Sequence, residues 1–356
     1  MKLSVIVNIL IVNFGLFYQS TCVVLGQLLS LPLLYTSRAW YLRYIAFTMN
    51  IWSQSLIAVV QYFAPAYIEL TIDPAIAEQD KSIVELQDDE VRLRLPKRAI
   101  VTANHQLLAD WVYIWCLSYL ARAHDSIKIL LKASLKNLPV YGLGMRFFDF
   151  IFLQRKLADD QATIVNNLEQ SKKDDTPLWL VLFPEGTVVS KNTRQRSKAF
   201  ADKNNLNDFL YTLLPRSTGL RLCLQTLEAS VEYLYDLTIC YPDVQAGGTS
   251  PEDMYTIPGI FFFNKQPTTI HMYLRRYRVK DIPVENEDTF NQWVYDRWLE
   301  KDHLMAAFYK QGYFNKDAKA IGTPIRLSHP LSLIQPTFCL LPYLAMISFL
   351  YYFIFA

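Results

Sequence analysis

Charge falls along this chain in blocks. No Lys, Arg, Asp or Glu interrupts residues 3–37, and none interrupts 44–68. A helix that crosses a bilayer needs about 20 apolar residues, so each stretch is long enough to span. The first exceeds a signal-peptide core and lacks a small-residue cleavage pattern. Gly15, Gly26 and Pro32 leave room in it for a bend or a re-entrant hairpin, so the number of crossings stays open. Arg38 and Arg43, between the two stretches, suit an interface where basic side chains reach water. Charges cease again after Arg326, and residues 331–356 form a third membrane candidate, bent or shortened by Pro336 and Pro342.

Between these ends the pattern shortens. Apolar runs of strand length at 98–103, 148–153, 178–183, 235–241 and 268–275 alternate with helix-length segments at 110–122, 159–172 and 288–309. The alternation predicts an α/β domain over residues 98–312, a mixed sheet flanked by helices. Residues 1–68 are read as membrane-embedded helices, and 69–97 as a linker that is acidic over 73–90. Residues 313–330 are read as a second linker and 331–356 as a C-terminal membrane segment. Arg92, Arg94, Lys97 and Arg98 form a basic cluster, either a solvated edge or a site for anionic lipid. His271 alternates into an apolar strand and is expected to be structural. His124, His303 and His329 have no partner pattern and are read as surface residues. No glycine-rich nucleotide fingerprint or internal repeat occurs.

Composition narrows the classes. The 356 residues hold one large domain plus membrane segments. Hydrophobic residues make up 52% and charged ones 19%, an imbalance concentrated in the terminal blocks. A net charge of +2 is too small to argue for nucleic acid. The five cysteines are scattered singly, mostly within apolar runs, as buried free thiols are, rather than in disulfide or zinc spacing. With the lack of any Asn-x-Ser/Thr sequon, that favours a domain facing the cytosol.

The strand at 98–103 ends in Asn104 and His105, and the following helix opens near Asp110. Side chains five apart on one regular helix point about 140° from each other and could not cooperate. With His105 in the loop and Asp110 in the first helical turn, the carboxylate can fold back onto the imidazole. It would then leave the other ring nitrogen as a proton acceptor. The spacing alone fits equally well an Asn-His turn followed by an acidic helix start. A second buried strand, beginning at Trp179, ends in Pro184, Glu185, Gly186 and Thr187.

Asn104, His105 and Asp110, followed by FPEGT from Phe183 to Thr187, with GMRFFDFIFLQR from Gly144 to Arg155 between them, resemble the glycerolipid acyltransferase family. That family comprises the bacterial and eukaryotic lysophosphatidic acid acyltransferases and their relatives. LKASLK from Leu131, RSKAFA from Arg196, LPRSTG from Leu214 and DLTICYP from Asp236 look like its lysocardiolipin and lysophosphatidylinositol subgroup. The likeness runs from about Arg98 to Gly312. One departure is visible: many relatives carry a basic residue or two between the His and the Asp, where this chain has Gln106, Leu107, Leu108 and Ala109.

The resemblance implies a glycerol-3-phosphate acyltransferase-like fold for residues 98–312. The implied reaction moves an acyl chain from acyl-CoA to the free hydroxyl of a lysophospholipid, with lysophosphatidylinositol as the leading acceptor. Next come 1-acylglycerol-3-phosphate, then lysocardiolipin; the non-enzymatic alternative is a silent lipid-binding relative. His105 would be the general base and Asp110 its orienting partner, with direct attack and no acyl-enzyme. Arg155 would hold the acceptor phosphate, and Gly186 and Thr187 would approach phosphate or glycerol oxygens. Glu185 would accept a glycerol hydroxyl or hold Arg155, unless it is a salt-bridged carboxylate at the strand end. Pro215 and Arg216 belong to a further block without an assigned role. Acyl-CoA is expected as co-substrate, with no cofactor and no metal. The expected location is the endoplasmic reticulum membrane, with the catalytic domain at its cytosolic face.

Overall fold

Ten short strands organise the computed structural model, which describes residues 3–87, 90–154, 157–318 and 320–355. They are β1 Tyr67–Ile72, β2 Val84–Gln87, β3 Glu90–Leu93, β4 Arg98–Ala103, β5 Ile127–Lys132, β6 Ile151–Leu153, β7 Leu178–Leu182, β8 Tyr233–Cys240, β9 Thr269–Arg278 and β10 Ala320–Pro324. Eight of them form one mixed sheet in the order β10-β1-β9-β8-β4-β7-β5-β6, while β2 and β3 pair apart as a hairpin. From β8 to β6 all neighbours run parallel. Beyond β8 the sheet turns mixed, because β9 is antiparallel to β8 and parallel to β1, and β10 is antiparallel to β1.

The principal helices are α1 Leu3–Leu29, α2 Arg38–Phe63, α3 Asp110–Leu120, α4 Leu157–Asp174, α5 Lys191–Lys203, α6 Ser217–Leu227, α7 Glu287–Gln311 and α8 Leu341–Phe355. Strands β4 and β7 read as unbroken apolar runs because helices cover both sheet faces. Alternate residues are sorted between two cores. Ala99, Val101, Trp179 and Val181 join α2 and α3, whereas Ile100, Leu180 and Leu182 join α4, α6 and α7. Thr102 pairs with Leu182, so β4 and β7 end side by side, and the residues that follow each strand become neighbours.

Among the described residues two helical segments are long and apolar enough to cross a membrane, Leu3–Thr36 and Pro330–Ile354. The uncharged stretch 44–68 is used differently. Its helix, α2, is buried at every position from Ser53 to Val60, and Tyr67 and Ile68 already belong to β1. A helix apolar on all sides lies either in lipid or inside protein. Here it lies against α3, with Trp52 edge-on to Trp115 at 5.3 Å. α1 and the Pro330–Leu340 segment close over α2 at Gly26. A Cβ at Gly26 would sit 2.8 Å from Tyr44 Oη and 2.9 Å from Cys339 Cβ, so only glycine lets the three segments meet.

The sheet also reaches past the expected boundaries. β1 begins in the expected membrane block and runs into the 69–97 linker, and β10 lies in the 313–330 linker. Neither has the continuous apolar run that marks β4 or β7, since both sit at or next to the sheet edge. His124, read as a surface residue, is only 7% exposed. The cysteines are all buried and free, as expected.

Candidate active site

The chain leaves β4 through Asn104, which is wholly buried. Its side-chain amide donates to Ile239 O at 2.8 Å and its oxygen accepts from Ile239 N at 2.7 Å, fastening the turn to β8. This fixed turn projects His105 toward the start of α3. His105 Nδ1 lies 2.9 Å from Asp110 Oδ2. The same oxygen accepts the backbone N–H of Gln106 at 2.7 Å and of Leu107 at 3.0 Å, and Oδ1 accepts the Tyr241 hydroxyl. Four donors thus converge on a carboxylate that is 0% exposed, which is how a buried acid is satisfied. The alternative reading, a bare acidic helix start, does not fit a carboxylate turned back to the imidazole.

With Asp110 accepting at Nδ1, the neutral ring carries its proton there and Nε2 keeps its lone pair. Nε2 has no hydrogen-bond partner among the described residues. The ring stacks on Phe183 at 4.2 Å and an interplanar angle of 21°, and the side chain is 17% exposed. It is held on two sides and open on one.

Glu185, expected to accept a glycerol hydroxyl, to hold Arg155 or to be salt-bridged, is buried and takes three protein donors, with no ion pair among the described residues. Oε1 accepts His105 N at 3.2 Å and Trp298 Nε1 at 3.3 Å, and Oε2 accepts Leu213 N at 3.1 Å. Burial pushes its carboxyl up to about 7, against the pull of those donors and of His105. Glu185 positions the histidine backbone.

Gly186 turns the chain in the left-handed region, at φ +71°, where a side chain would be strained. Arg216 lies over this turn: its Cδ is 3.6 Å from the place a Gly186 Cβ would take, and its N–H donates to Pro184 O at 2.7 Å. The turn itself brings no cation, since Val188 and Val189 follow Thr187. The Arg216 side chain is exposed and has no ion pair or hydrogen bond among the described residues, and Thr187 is half-buried. Arg155 lies outside the described residues.

Other contributors were not visible in the pattern. Tyr241 stands in the DLTICYP run, but its bond to Asp110 crosses 131 residues. Helix α7, expected as a helix over 288–309, supplies Trp298 to Glu185 and Asp302 to the backbone N–H groups of Leu210, Tyr211 and Thr212, at 2.6 to 2.9 Å. Between them Lys301, wholly buried, binds Asp236 at 2.8 Å, and Asp236 also holds Arg275 at 2.7 Å. Burial alone would raise the Asp236 carboxyl; Lys301 and Arg275 keep it below the ordinary range. Trp298 and Asp302 are four apart, so one helical face serves both loops.

Comparison with known proteins identifies the family. The acyltransferase family model matches residues 84–241, and the acyltransferase C-terminus model matches 261–334. An uncharacterised acyltransferase of Schizosaccharomyces pombe is 36% identical over 321 residues, 89% of each chain. The 2-acyl-1-lysophosphatidylinositol acyltransferase of Saccharomyces cerevisiae is 33% identical over 293 residues, 73% of this chain and 74% of that one. Lysocardiolipin acyltransferase 1 of Danio rerio is 34% identical over 236 residues, 65% of this chain and 57% of that one. His105 and Asp110 lie inside the first matched region, as do Glu185, Gly186 and Thr187, and the chain is a member of the glycerolipid acyltransferase family, to which the lysophosphatidylinositol and lysocardiolipin acyltransferases belong.

Proposed function

We propose that this protein transfers an acyl chain from acyl-CoA to the free hydroxyl of lysophosphatidylinositol, with His105 as general base. The observation that carries the reading is the imidazole held by Asp110 at Nδ1 with Nε2 unpartnered on its open side. In the forward step Nε2 takes the proton of the acceptor hydroxyl as its oxygen attacks the thioester carbonyl. Asp110 stabilises the imidazolium that forms. The tetrahedral oxyanion then collapses, the C–S bond breaks, and the proton on Nε2 passes to the departing CoA sulfur. No nucleophilic serine or cysteine is needed, and Cys116, Cys223 and Cys240 are buried with their thiols pushed up by burial.

Arg216, over the Gly186 turn, is placed to bind the acceptor phosphate, with Thr187 adding a hydroxyl and Arg155 a second guanidinium as the family block implies. Lysophosphatidylinositol is preferred because a relative covered over 74% of its length carries that name. The two candidate spans bring both lipid substrates laterally from the bilayer. The family further suggests the endoplasmic reticulum, with the site facing the cytosol.

The test uses membranes holding the full chain or its His105→Ala variant, given labelled acyl-CoA and a panel of lysophosphatidylinositol, 1-acylglycerol-3-phosphate and lysocardiolipin. The expected result is transfer confined to lysophosphatidylinositol and reduced by roughly 10²–10⁴-fold in the variant, the range of general-base catalysis. Undiminished transfer in the variant would sink the role of His105, and transfer to another acceptor would reassign the substrate. Arg216→Gln should raise the acceptor KM by about tenfold and leave kcat nearly unchanged, as loss of uniform phosphate binding does.

A further inference from the structure

At the opposite end of α3 from His105 lies a cavity of about 330 Å³ that the reaction above does not use. Arg92 of β3, Arg122 just past α3 and Arg326 after β10 bring three guanidinium groups to its lining, and no Asp or Glu among the described residues lines it. Arg122 and Arg326 are exposed and make no ion pair or side-chain hydrogen bond among the described residues. Arg122 and Arg326, two like charges at one wall, repel unless an anion sits between them.

The same wall holds a second polar cluster. Gln54 Nε2 donates to Asn50 Oδ1 at 2.7 Å, which leaves Asn50 Nδ2 as the donor toward His124 Nε2 at 3.0 Å. The His124 proton therefore sits on Nδ1, a buried donor with no partner. Asn50 and Gln54 of α2 both line this cavity.

The surroundings of the cavity identify the occupant. Arg326 is the last charged residue before the candidate span Pro330–Ile354, and α2 is tied to the other candidate span by Trp52 Nε1 donating to Ser20 Oγ at 2.9 Å. Basic pockets at this position, beside spanning helices, bind lipid head groups. We propose that this cavity binds the phosphate group of an anionic phospholipid from the surrounding bilayer, at a site separate from the acyl-acceptor site. The 11-residue helix α3 keeps the two sites about 16 Å apart.

The test is calorimetric titration of the full chain, purified in a neutral detergent, with dioctanoyl phosphatidylglycerol, which the proposed reaction neither consumes nor makes. The variant combines Arg122→Asn with Arg326→Gln. Asn suits position 122 because Arg122 holds a left-handed backbone, φ 52°, that Asn tolerates. Each arginine near a lipid surface is worth about fivefold in affinity, so the double variant should bind about twenty-five-fold more weakly. Dioctanoyl phosphatidylcholine should bind weakly and equally to both proteins. Equal binding of phosphatidylglycerol by wild type and variant would overturn the proposal. So would inorganic phosphate binding as tightly as the lipid or, with CoA titrated alongside, a loss confined to CoA. Arg326→Gln alone, with about a fivefold loss expected, keeps the test open if the double variant does not fold.

Discussion

The two ends of helix α3 treat buried polar groups in opposite ways. At its start, Asp110 is sealed from water with four protein donors, and the Nε2 face of His105 is the opening left to substrate. Past its end, His124 is buried with Nδ1 unanswered, and Arg122 and Arg326, unpaired among the described residues, line an open volume. The helix dipole favours both arrangements, an acid at the N-terminus and cations at the C-terminus. The difference lies in closure. A saturated network fixes one geometry and suits chemistry that needs a preset angle, whereas an unsaturated one is completed only by something from outside.

Breaking the saturated end should affect catalysis most. Asp110→Asn puts an amide where the N–H groups of Gln106 and Leu107 point, so transfer should fall about a hundredfold and the thermal midpoint should drop with it. An intact midpoint with full activity would remove Asp110 from the mechanism. Tyr241→Phe deletes one of the four donors, a bond to a charged group worth about 1.5–3 kcal/mol in general. It should lower kcat about tenfold with the acceptor KM unchanged, because the hydroxyl touches Asp110 and not the substrate in this reading. A change in KM alone would refute that positioning role.

The smallest effect sharpens the comparison through Glu185, whose carboxyl is raised to about 7 by burial from an ordinary value of 4.5. The folded protein retains a proton that the unfolded chain releases, so this contribution to stability is full below about 4.5 and is lost as pH rises through 7. The thermal midpoint should therefore decline between pH 5 and pH 7 by a few degrees at most, and Glu185→Gln should flatten the slope. An identical slope in the variant would place the decline elsewhere.

How far the site was legible differs residue by residue. His105 and Asp110 could be paired on paper because a local turn brings them together within six positions. Glu185 was found by its motif, but its burial was not legible, since nothing local tells whether a strand-end carboxylate faces solvent or the core. Tyr241, Trp298 and Asp302 reach the site across the sheet and carry no spacing signal. The buried apolar strands β4 and β7 were visible to within a residue, whereas β5, which holds Lys128 and Lys132, was missed, as were the peripheral β1 and β10.

By itself the sequence determined the α/β alternation, the apolar terminal blocks and the His105 turn, all set by local periodicity and short-range geometry. Tertiary structure decided the rest. It turned the 44–68 stretch into a helix packed on the sheet and a first strand, since apolar residues suit lipid and protein interior alike and only the available partners separate the two. It also turned Glu185 inward, buried His124 and gathered Arg92, Arg122 and Arg326 around one cavity. Those outcomes depend on contacts between residues far apart in the chain, which no local pattern records.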